Sequence, residues 1–249
     1  MKILGIIPAR YASTRFEGKP LAKINGRTMI CRVAERASQA SMLSKVIIAT
    51  DDQRIADEAT NNGFTAMMTS EEHHNGTSRC AEVASKNTGY DAVINIQGDE
   101  PFIDPNQIDN LARAITQSNA DIATLVKAIK TNEELFSPNV VKAVIDTRGN
   151  ALYFSRQAIP FMRGIEQDKW LENHTFYKHI GIYAYRTDVL QKIVNMPQTP
   201  LERAESLEQL RWLEHGLTIA TAVTKNENIA IDTPDDLIRA ELYAQQNNL

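Results

Sequence analysis

The sequence has few cysteines, no long apolar run and no strong excess of charge of either sign. Its two cysteines, Cys31 and Cys80, exclude a disulfide framework and are typical of a reducing compartment. No stretch approaches the roughly 20 apolar residues of a membrane-spanning helix, and the apolar run at 3–7 is too short for a signal peptide. A formal charge of −4 argues against nucleic-acid binding, which needs a broad basic surface. These absences predict a cytoplasmic protein with no membrane or nucleic-acid partner.

Apolar runs and amphipathic stretches alternate in the first half of the chain. The pattern predicts strands at 3–7, 45–50, 64–68 and 91–96, and helices at 29–40, 54–60 and 79–85. This order predicts parallel strands with right-handed crossovers, hence a three-layer, doubly wound, mostly parallel α/β sheet. Ligands of such sheets bind beyond the carboxyl ends of the strands. The loops after Ile7, Ile48 and Ile96 are therefore expected to face one cleft.

In the second half, three strand-like segments follow one another with little helix between them, which predicts antiparallel additions to the sheet. Strands are predicted at 140–146, 151–156, 176–186 and 218–224, and helices at 188–195, 206–215 and 233–246. No linker, repeat or change of composition divides the chain. We therefore predict a single domain over residues 1–249.

The loop after the first strand, PARYASTRFEGKPL, combines small residues with Arg10, Arg15 and Lys19. Small side chains let backbone N–H groups approach a phosphate, and basic side chains complement its charge. The loop has neither the GxxxxGK[ST] nor the GxGxxG pattern. A solvated turn with scattered charges is the alternative, but the position at a strand end favours a phosphate site.

Carboxylates follow another predicted strand in the segment QGDEP, which contains Asp99 and Glu100. Carboxylates beside a polyphosphate would repel it unless a cation lies between them, and Mg²⁺ prefers one or two carboxylates plus phosphate oxygens. Asp232 directly precedes the helix-start signature Thr233-Pro234 and is free to be a second ligand. The alternative for both segments is a polar turn leading into a helix, with Asp104 as the predicted cap after the first segment and Thr233 after the second.

Other polar groups are individually more typical of ordinary structural roles. Asp51 and Asp52 precede a helix, as capping residues do. His73 and His74 lack the spacing of a metal site and are interpreted as loop residues.

Three further segments carry polar groups for which an ordinary structural role is again the alternative. Arg79 stands at a predicted helix start, and His179 lies in an apolar strand. Ser206 and Gln209 have the spacing of a capping box that also contains Glu208.

Seven segments, taken together and in order, carry a more specific signal. They are IIPARYASTRFEGKPL, VIIATDD, HNGTSRCAEVA, INIQGDEPFI, HIGIYAYR, ESLEQLRWLE and AIDTPDDL. The set resembles the 3-deoxy-manno-octulosonate (Kdo) cytidylyltransferases, also called CMP-Kdo synthetases, from the first strand to the last helix. The resemblance implies a nucleotide-diphospho-sugar transferase-like fold and a Mg²⁺-dependent, cytoplasmic homodimer. It implies transfer of CMP from CTP to Kdo, with CMP-Kdo and pyrophosphate as products, for lipopolysaccharide synthesis.

The resemblance also implies roles for individual residues. Those expected to hold the triphosphate are Arg10, Ser13, Arg15 and Lys19, and Lys19 is expected to help pyrophosphate leave. The expected Mg²⁺ ligands are Asp99 and Asp232. Those expected to place the nucleotide or the sugar are Gln97 and Gly76. The expected sugar pocket contains Arg79, His179, Tyr183, Glu208 and Gln209.

The chain departs from the family pattern at two places that bear on the substrate. Phe16-Glu17 replaces the usual Leu-Pro before the loop glycine, and Ser78 replaces an acidic residue before Arg79. The alternatives are therefore another acidic sugar, such as 8-amino-Kdo or sialic acid. A metal-dependent glycosyltransferase and a non-catalytic nucleotide-binding module are the alternatives from other classes.

Overall fold

The computed structural model of the chain describes residues 1–12 and 15–247. The strands are β1 (Ile3–Ala9), β2 (Lys23–Ile24), β3 (Arg27–Thr28), β4 (Lys45–Thr50), β5 (Ala66–Met68), β6 (Ala92–Asn95), β7 (Ile122–Ala128), β8 (Lys142–Ile145), β9 (Ala151–Ser155), β10 (Tyr177–Arg186) and β11 (Ile219–Val223). The helices are α1 (Met29–Ser38), α2 (Gln53–Asn61), α3 (Gly76–Lys86), α4 (Pro105–Gln117), α5 (Asn132–Phe136), α6 (Trp170–Asn173), α7 (Thr187–Ile193), α8 (Pro200–Glu205), α9 (Glu208–Glu214) and α10 (Pro234–Gln246).

The chain forms two compact units. The first contains residues 1–112 and the segment from 228 onward, and the second contains residues 113–227. The boundary falls within α4, with no separate linker. The prediction of one domain over the whole chain stays a prediction.

The first unit has a parallel sheet with the strand order β6-β1-β4-β5. The chain moves outward from β1 to β4 and β5, and then returns to place β6 on the other side of β1. Right-handed crossovers in opposite directions put α1 and α2 on one face of this sheet and α3 on the other. The predicted doubly wound, mostly parallel sheet is confirmed, and its switch point lies between β1 and β6.

Helix starts in this unit follow the capping chemistry of the sequence. Asp104 precedes α4, and its carboxylate accepts a hydrogen bond from the Asn106 backbone N–H at 2.9 Å. Thr233 and Asp236 form a capping box at the start of α10. Both predicted caps are therefore confirmed, and the second leaves the neighbouring Asp232 carboxylate available for other contacts.

The second unit has the strand order β11-β7-β10 and an antiparallel extension through β8 and β9. Strand β10 is antiparallel to β7, and β11 is parallel to it. The predicted antiparallel additions are confirmed, whereas the central strand β7 was not predicted from the sequence.

The predicted capping box from Ser206 to Gln209 is wrong. Ser206 ends α8 in the left-handed conformation, with φ of 53°. Helix α9 instead begins after Leu207, which cannot supply a side-chain cap. The matching letters S-x-x-Q therefore lie across a helix end, where the backbone geometry removes the capping contact.

The predictions of no disulfide framework and no membrane-spanning helix can be compared with the described part of the chain. Cys31 and Cys80 are both buried and unbridged. None of the described helices is long and apolar enough to cross a membrane.

Candidate active site

A cavity of about 890 Å³ opens in the first unit at the switch point of its sheet. Seven of the residues selected from the sequence line it: Arg10, Arg15, Lys19, Gly76, Arg79, Gln97 and Asp99. They come from the loop after β1, the start of α3 and the loop after β6. The prediction that these strand ends form one site is consistent with this geometry, and Ser13 lies outside the described residues.

Lys19 lies between the two carboxylates that were expected to bind metal. Its Nζ donates to Asp99 Oδ2 at 2.8 Å and to Asp232 Oδ1 at 3.3 Å. The other carboxylate oxygen of Asp232 is 3.1 Å from Nη1 of Arg15. Two carboxylates far apart in sequence are thus held against one ammonium group.

Backbone contacts hold the segments that carry these two carboxylates together. The Ile231 N–H donates to the Asp99 carbonyl at 3.0 Å, which ties the segment before α10 to the loop after β6. Gly98 lies so close to β1 that an added Cβ would be 2.6 Å from the Pro8 carbonyl oxygen. Glycine is therefore required at 98 for the two strand ends to approach.

The basic loop is closed on itself and against α2. The Gly18 N–H donates to the Tyr11 carbonyl at 2.9 Å, and the positive φ of 68° at Gly18 makes this turn. The Arg54 guanidinium stacks on the Tyr11 ring at 3.3 Å from its centroid. Asp52, which caps α2, holds Arg54 through two hydrogen bonds of 2.9 and 2.6 Å. These contacts orient the loop from its outer side.

Arg79 is fully buried, and its charge is paired within the protein. One terminal nitrogen donates to Asp51 Oδ2 at 2.6 Å and the other donates to the Thr69 hydroxyl. Asp51 also lies 3.8 Å from Nε of Arg10. Asp51 therefore joins two basic residues of the cavity, whereas only Asp52 caps the helix.

The segment before α3 is anchored by Glu82. Its carboxylate accepts from the Ser70 N–H at 2.9 Å and from Lys86 at 2.6 Å, and it contacts the His73 ring nitrogen Nε2 at 2.5 Å. Burial alone would raise the pKa of Glu82, but Lys86, the Ser70 N–H and His73 together lower it to about 2. The next residue, His74, lines the cavity and accepts a hydrogen bond from Arg10 at 3.4 Å.

Glu100 has an environment unlike that of its neighbour Asp99. Burial and the nearby Asp99 charge raise the pKa of Glu100 to about 7, against the opposing hydrogen bond from Asn228 at 2.6 Å. This contact ties the loop after β6 to the segment leading to α10.

The carboxylates of Asp99 and Asp232 are suitable for one divalent cation. They converge on a single cationic nitrogen, and paired carboxylates with phosphate or water oxygens are ligands that Mg²⁺ prefers. The described residues contain no group of three metal-ligating side chains, so further ligands would come from substrate or water.

In the second unit, His179 and Tyr183 of β10 lie together among aromatic rings. Their ring centroids are 5.2 Å apart, and Tyr183 packs edge-on against Trp212 at 5.0 Å. Burial lowers the pKa of His179 to about 4, so its ring is neutral near pH 7. Burial and the Glu208 charge raise the pKa of Tyr183.

Glu208 and Gln209 occupy the first turn of α9. Glu208 lines a cavity of about 430 Å³ in the second unit together with Glu202, Arg203 and Ser206. Gln209 is buried. Their expected contacts with a sugar stay a prediction.

The sequence interpretation missed Asp51 and Tyr11 as residues that orient the predicted site. Asp51 could have been noticed because a helix uses one N-cap, which leaves one of two adjacent aspartates without that role. Tyr11 carries no comparable signal, since its partner Arg54 lies on a different element.

Comparison with known proteins agrees with this geometry. A family model described as cytidylyltransferase matches residues 4–219, a range that contains every cavity-lining residue named above but not Asp232. A 3-deoxy-manno-octulosonate cytidylyltransferase of Parabacteroides distasonis is 51% identical, with 96% of this chain and 97% of the relative covered. The chain belongs to the 3-deoxy-manno-octulosonate cytidylyltransferase family.

Other members and a solved structure extend this likeness. The protein of the same name from Cytophaga hutchinsonii is 52% identical, with 96% of each chain covered. A structure of CMP:2-keto-3-deoxy-manno-octonic acid synthetase complexed with CTP superposes with a TM-score of 0.92 at 40% identity, covering 99% of this chain and 100% of the other. The predicted family and fold are therefore confirmed.

Proposed function

We propose that this protein transfers CMP from CTP to the anomeric hydroxyl of Kdo, giving CMP-Kdo and pyrophosphate. The observation that carries the proposal is the cavity in which Arg10, Arg15 and Lys19 meet the carboxylates of Asp99 and Asp232. The names of relatives that are 51% and 52% identical over nearly the whole chain support Kdo as the sugar. The CTP complex of the 40% identical neighbour supports CTP as the donor.

The reaction forms a bond from the anomeric oxygen to the α-phosphorus. It breaks the bond from the α-phosphorus to the oxygen that bridges to the β-phosphate, and pyrophosphate leaves with that electron pair. The hydroxyl proton is released. Such transfers are accelerated mainly by positioning and by stabilisation of the developing charge.

In this proposal, the basic side chains of the first loop bind the triphosphate. Arg15 and Lys19 now contact carboxylates, and Arg10 lies 3.8 Å from one, so phosphate oxygens must compete for them. Asp99 and Asp232 would hold Mg²⁺, which would supply positive charge to phosphate oxygens. Lys19 donates to the leaving pyrophosphate, where a donor strengthens its contact as charge develops.

We assign the sugar contacts of the second unit to four polar residues. His179, Tyr183, Glu208 and Gln209 supply polar contacts, as expected from the family resemblance. Arg79 is already paired with Asp51, so its main contribution is to hold the cavity wall. Gln97 and Gly76 remain assigned to the nucleotide or the sugar, and Ser13 remains assigned to the triphosphate.

We also propose a cytoplasmic homodimer that supplies CMP-Kdo for lipopolysaccharide synthesis. These assignments follow from the family resemblance and agree with the unbridged cysteines. No nucleic-acid or membrane partner is proposed.

A pyrophosphate-release assay tests the proposed reaction. The protein is mixed with CTP and with Kdo, 8-amino-Kdo or sialic acid, each with and without Mg²⁺. We expect the fastest release with Kdo and Mg²⁺, and little release without the metal. A faster reaction with another acidic sugar would change the substrate. Calorimetric binding of CTP without release from any sugar would instead indicate a non-catalytic module.

A further inference from the structure

Strand β10 bulges where it passes Thr124 of β7. Ile180 pairs with Leu125 and Tyr183 pairs with Thr124, so Gly181 and Ile182 are extra residues between these two pairs. The bulge brings the carbonyl oxygens of Ile180 and Ile182 to 3.3 and 2.8 Å from the Thr124 hydroxyl oxygen. Thr124 is fully buried, so these contacts exclude water.

The same hydroxyl oxygen is 2.9 Å from Nε2 of His179. A carbonyl oxygen can only accept a hydrogen bond, and a hydroxyl group has a single hydrogen to donate. The Thr124 hydrogen is therefore used on Ile182, which is the nearer carbonyl. Consequently Nε2 of His179 must carry a hydrogen and donate it to the Thr124 oxygen.

The remaining ring nitrogen, Nδ1, is then left with a lone pair. A neutral imidazole has one N–H group, and the burial of this ring keeps it neutral near pH 7. Over the described part of the chain, no hydrogen bond reaches Nδ1, and the ring faces Phe154 and Tyr183 through aromatic contacts.

We propose that Thr124 is a positioning residue that fixes the Nε2–H tautomer of His179, so that Nδ1 accepts a hydrogen bond from a sugar hydroxyl group. The sugar part of this inference rests on the proposed function. A neutral nitrogen with a lone pair binds a hydroxyl donor but does not pair with a carboxylate. His179 thus recognises the polyhydroxylated part of the substrate rather than its acid group.

Imidazole NMR of the unliganded protein tests the tautomer directly. Long-range ¹⁵N–¹H correlation spectra at pH 7 resolve the ring nitrogens of the five histidines, and His179→Gln identifies the relevant signals. We expect a protonated Nε2 and an unprotonated Nδ1. An Nδ1–H tautomer or a doubly protonated ring would overturn the proposal. The NMR measurement needs no substrate, so its outcome does not depend on the test of the reaction.

Two variants test the role of the hydroxyl group. Thr124→Val removes it and keeps the shape, whereas Thr124→Ser keeps it. We expect Thr124→Val to lose the fixed tautomer and to raise KM for Kdo about tenfold, the equivalent of one hydrogen bond, with a smaller change in kcat and in KM for CTP. Thr124→Ser should retain the tautomer and most of the affinity.

Equal losses in the two variants, or an unchanged KM for Kdo in Thr124→Val, would overturn the proposed role. If Thr124→Val does not fold, the wild-type spectrum and the Thr124→Ser spectrum still decide the tautomer. A protein with the inferred tautomer that does not use Kdo would support the Thr124–His179 contact and overturn only the proposed function.

Discussion

Lys19 stabilises two close carboxylates, since its ammonium group bridges Asp99 and Asp232. Under the proposed function these carboxylates also hold a divalent cation. We therefore expect Lys19 and the cation to compete for them.

Replacement of Lys19 by methionine should strengthen the binding of a divalent cation in the absence of CTP. Loss of the competing charge leaves two carboxylates unneutralised, and we expect Mn²⁺ to bind roughly tenfold more tightly, which corresponds to about 1.4 kcal/mol. This gain is smaller than the ~4 kcal/mol by which two unit charges about 4 Å apart interact at an effective dielectric constant of 20. Electron paramagnetic resonance of free Mn²⁺ measures the affinity. Pyrophosphate release should fall by about 10²-fold or more.

The exposed Lys23 of the neighbouring hairpin offers a matched control. Lys23 makes no contact with these carboxylates. Lys23→Met therefore removes the same charge from the chain, but it should not change the affinity for Mn²⁺. Equal Mn²⁺ affinities in wild type and Lys19→Met would show that Lys19 does not compete with metal.

At the scale of elements, the site is made of strand ends and of the loops that are tied to them. The segment before α3 is an example, because Glu82 holds it from within the helix. This segment carries His74, whose carbonyl oxygen contacts Arg10. A carboxylate within α3 thus influences the geometry of the basic loop.

Glu82→Gln should lower the free energy of unfolding at neutral pH by roughly 1–3 kcal/mol. The folded-state pKa of about 2 lies below the unfolded value of 4.5, so the ionised carboxylate stabilises the fold above about pH 4.5. That contribution is lost as the pH falls toward about 2. Urea unfolding from pH 7 to pH 3 should therefore show a difference between variant and wild type that shrinks with acidification.

Glu71→Gln, an exposed change in the same loop, provides the control and should leave stability unchanged at every pH. A Glu82→Gln difference that is independent of pH would indicate lost packing rather than a lost charged contact.

Most elements of the first unit could be predicted because the spacing of the hydrophobic residues and the positions of the capping residues indicated the same helices and strands. The strand Lys45–Thr50 was predicted to the residue, and Asp104 and Thr233 marked helix starts. Strand β7 was missed because an apolar run without glycine or proline at its ends has no clear boundary. The predicted capping box at Ser206 was wrong for a different reason, because the backbone conformation of Ser206 is set by the preceding helix.

At the scale of the whole molecule, charge is the central problem of the proposed reaction. The chain carries a formal charge of −4, and both proposed substrates are anions. Each described arginine and lysine that lines the first-unit cavity lies within 4 Å of a carboxylate. The positive loop is therefore largely neutralised before a nucleotide binds.

CTP should raise the midpoint of thermal unfolding only when a divalent cation is present. Without the cation, Asp99 and Asp232 stay paired with Lys19, and their negative charges repel phosphate. CTP binding should then be weak. With Mg²⁺ and CTP at about 100 times Kd, linkage predicts roughly 2.7 kcal/mol of added stability. Differential scanning calorimetry with CTP alone, Mg²⁺ alone and both together measures the effect. Equal stabilisation by CTP with and without Mg²⁺ would contradict the proposed charge balance.

The composition of the site could be predicted only in part. The basic loop and the QGDEP segment were recognisable locally, because strand ends of one parallel sheet share an edge. The pairing of Lys19 with Asp232 was not, since sequence spacing carries no information about contacts more than two hundred residues apart. The Thr124 contact depends on a bulge, which the strand pattern of the sequence does not reveal.

Gly98 adds a different kind of constraint to this chemistry. A methyl group there would press on the first strand, and both the basic loop and the carboxylate segment would shift with it. In a saturation mutagenesis screen this position should tolerate as little change as the ionised residues, although it contributes no functional group. Intolerance at a site without a side chain would then measure how closely two lengths of main chain must approach for the enzyme to work.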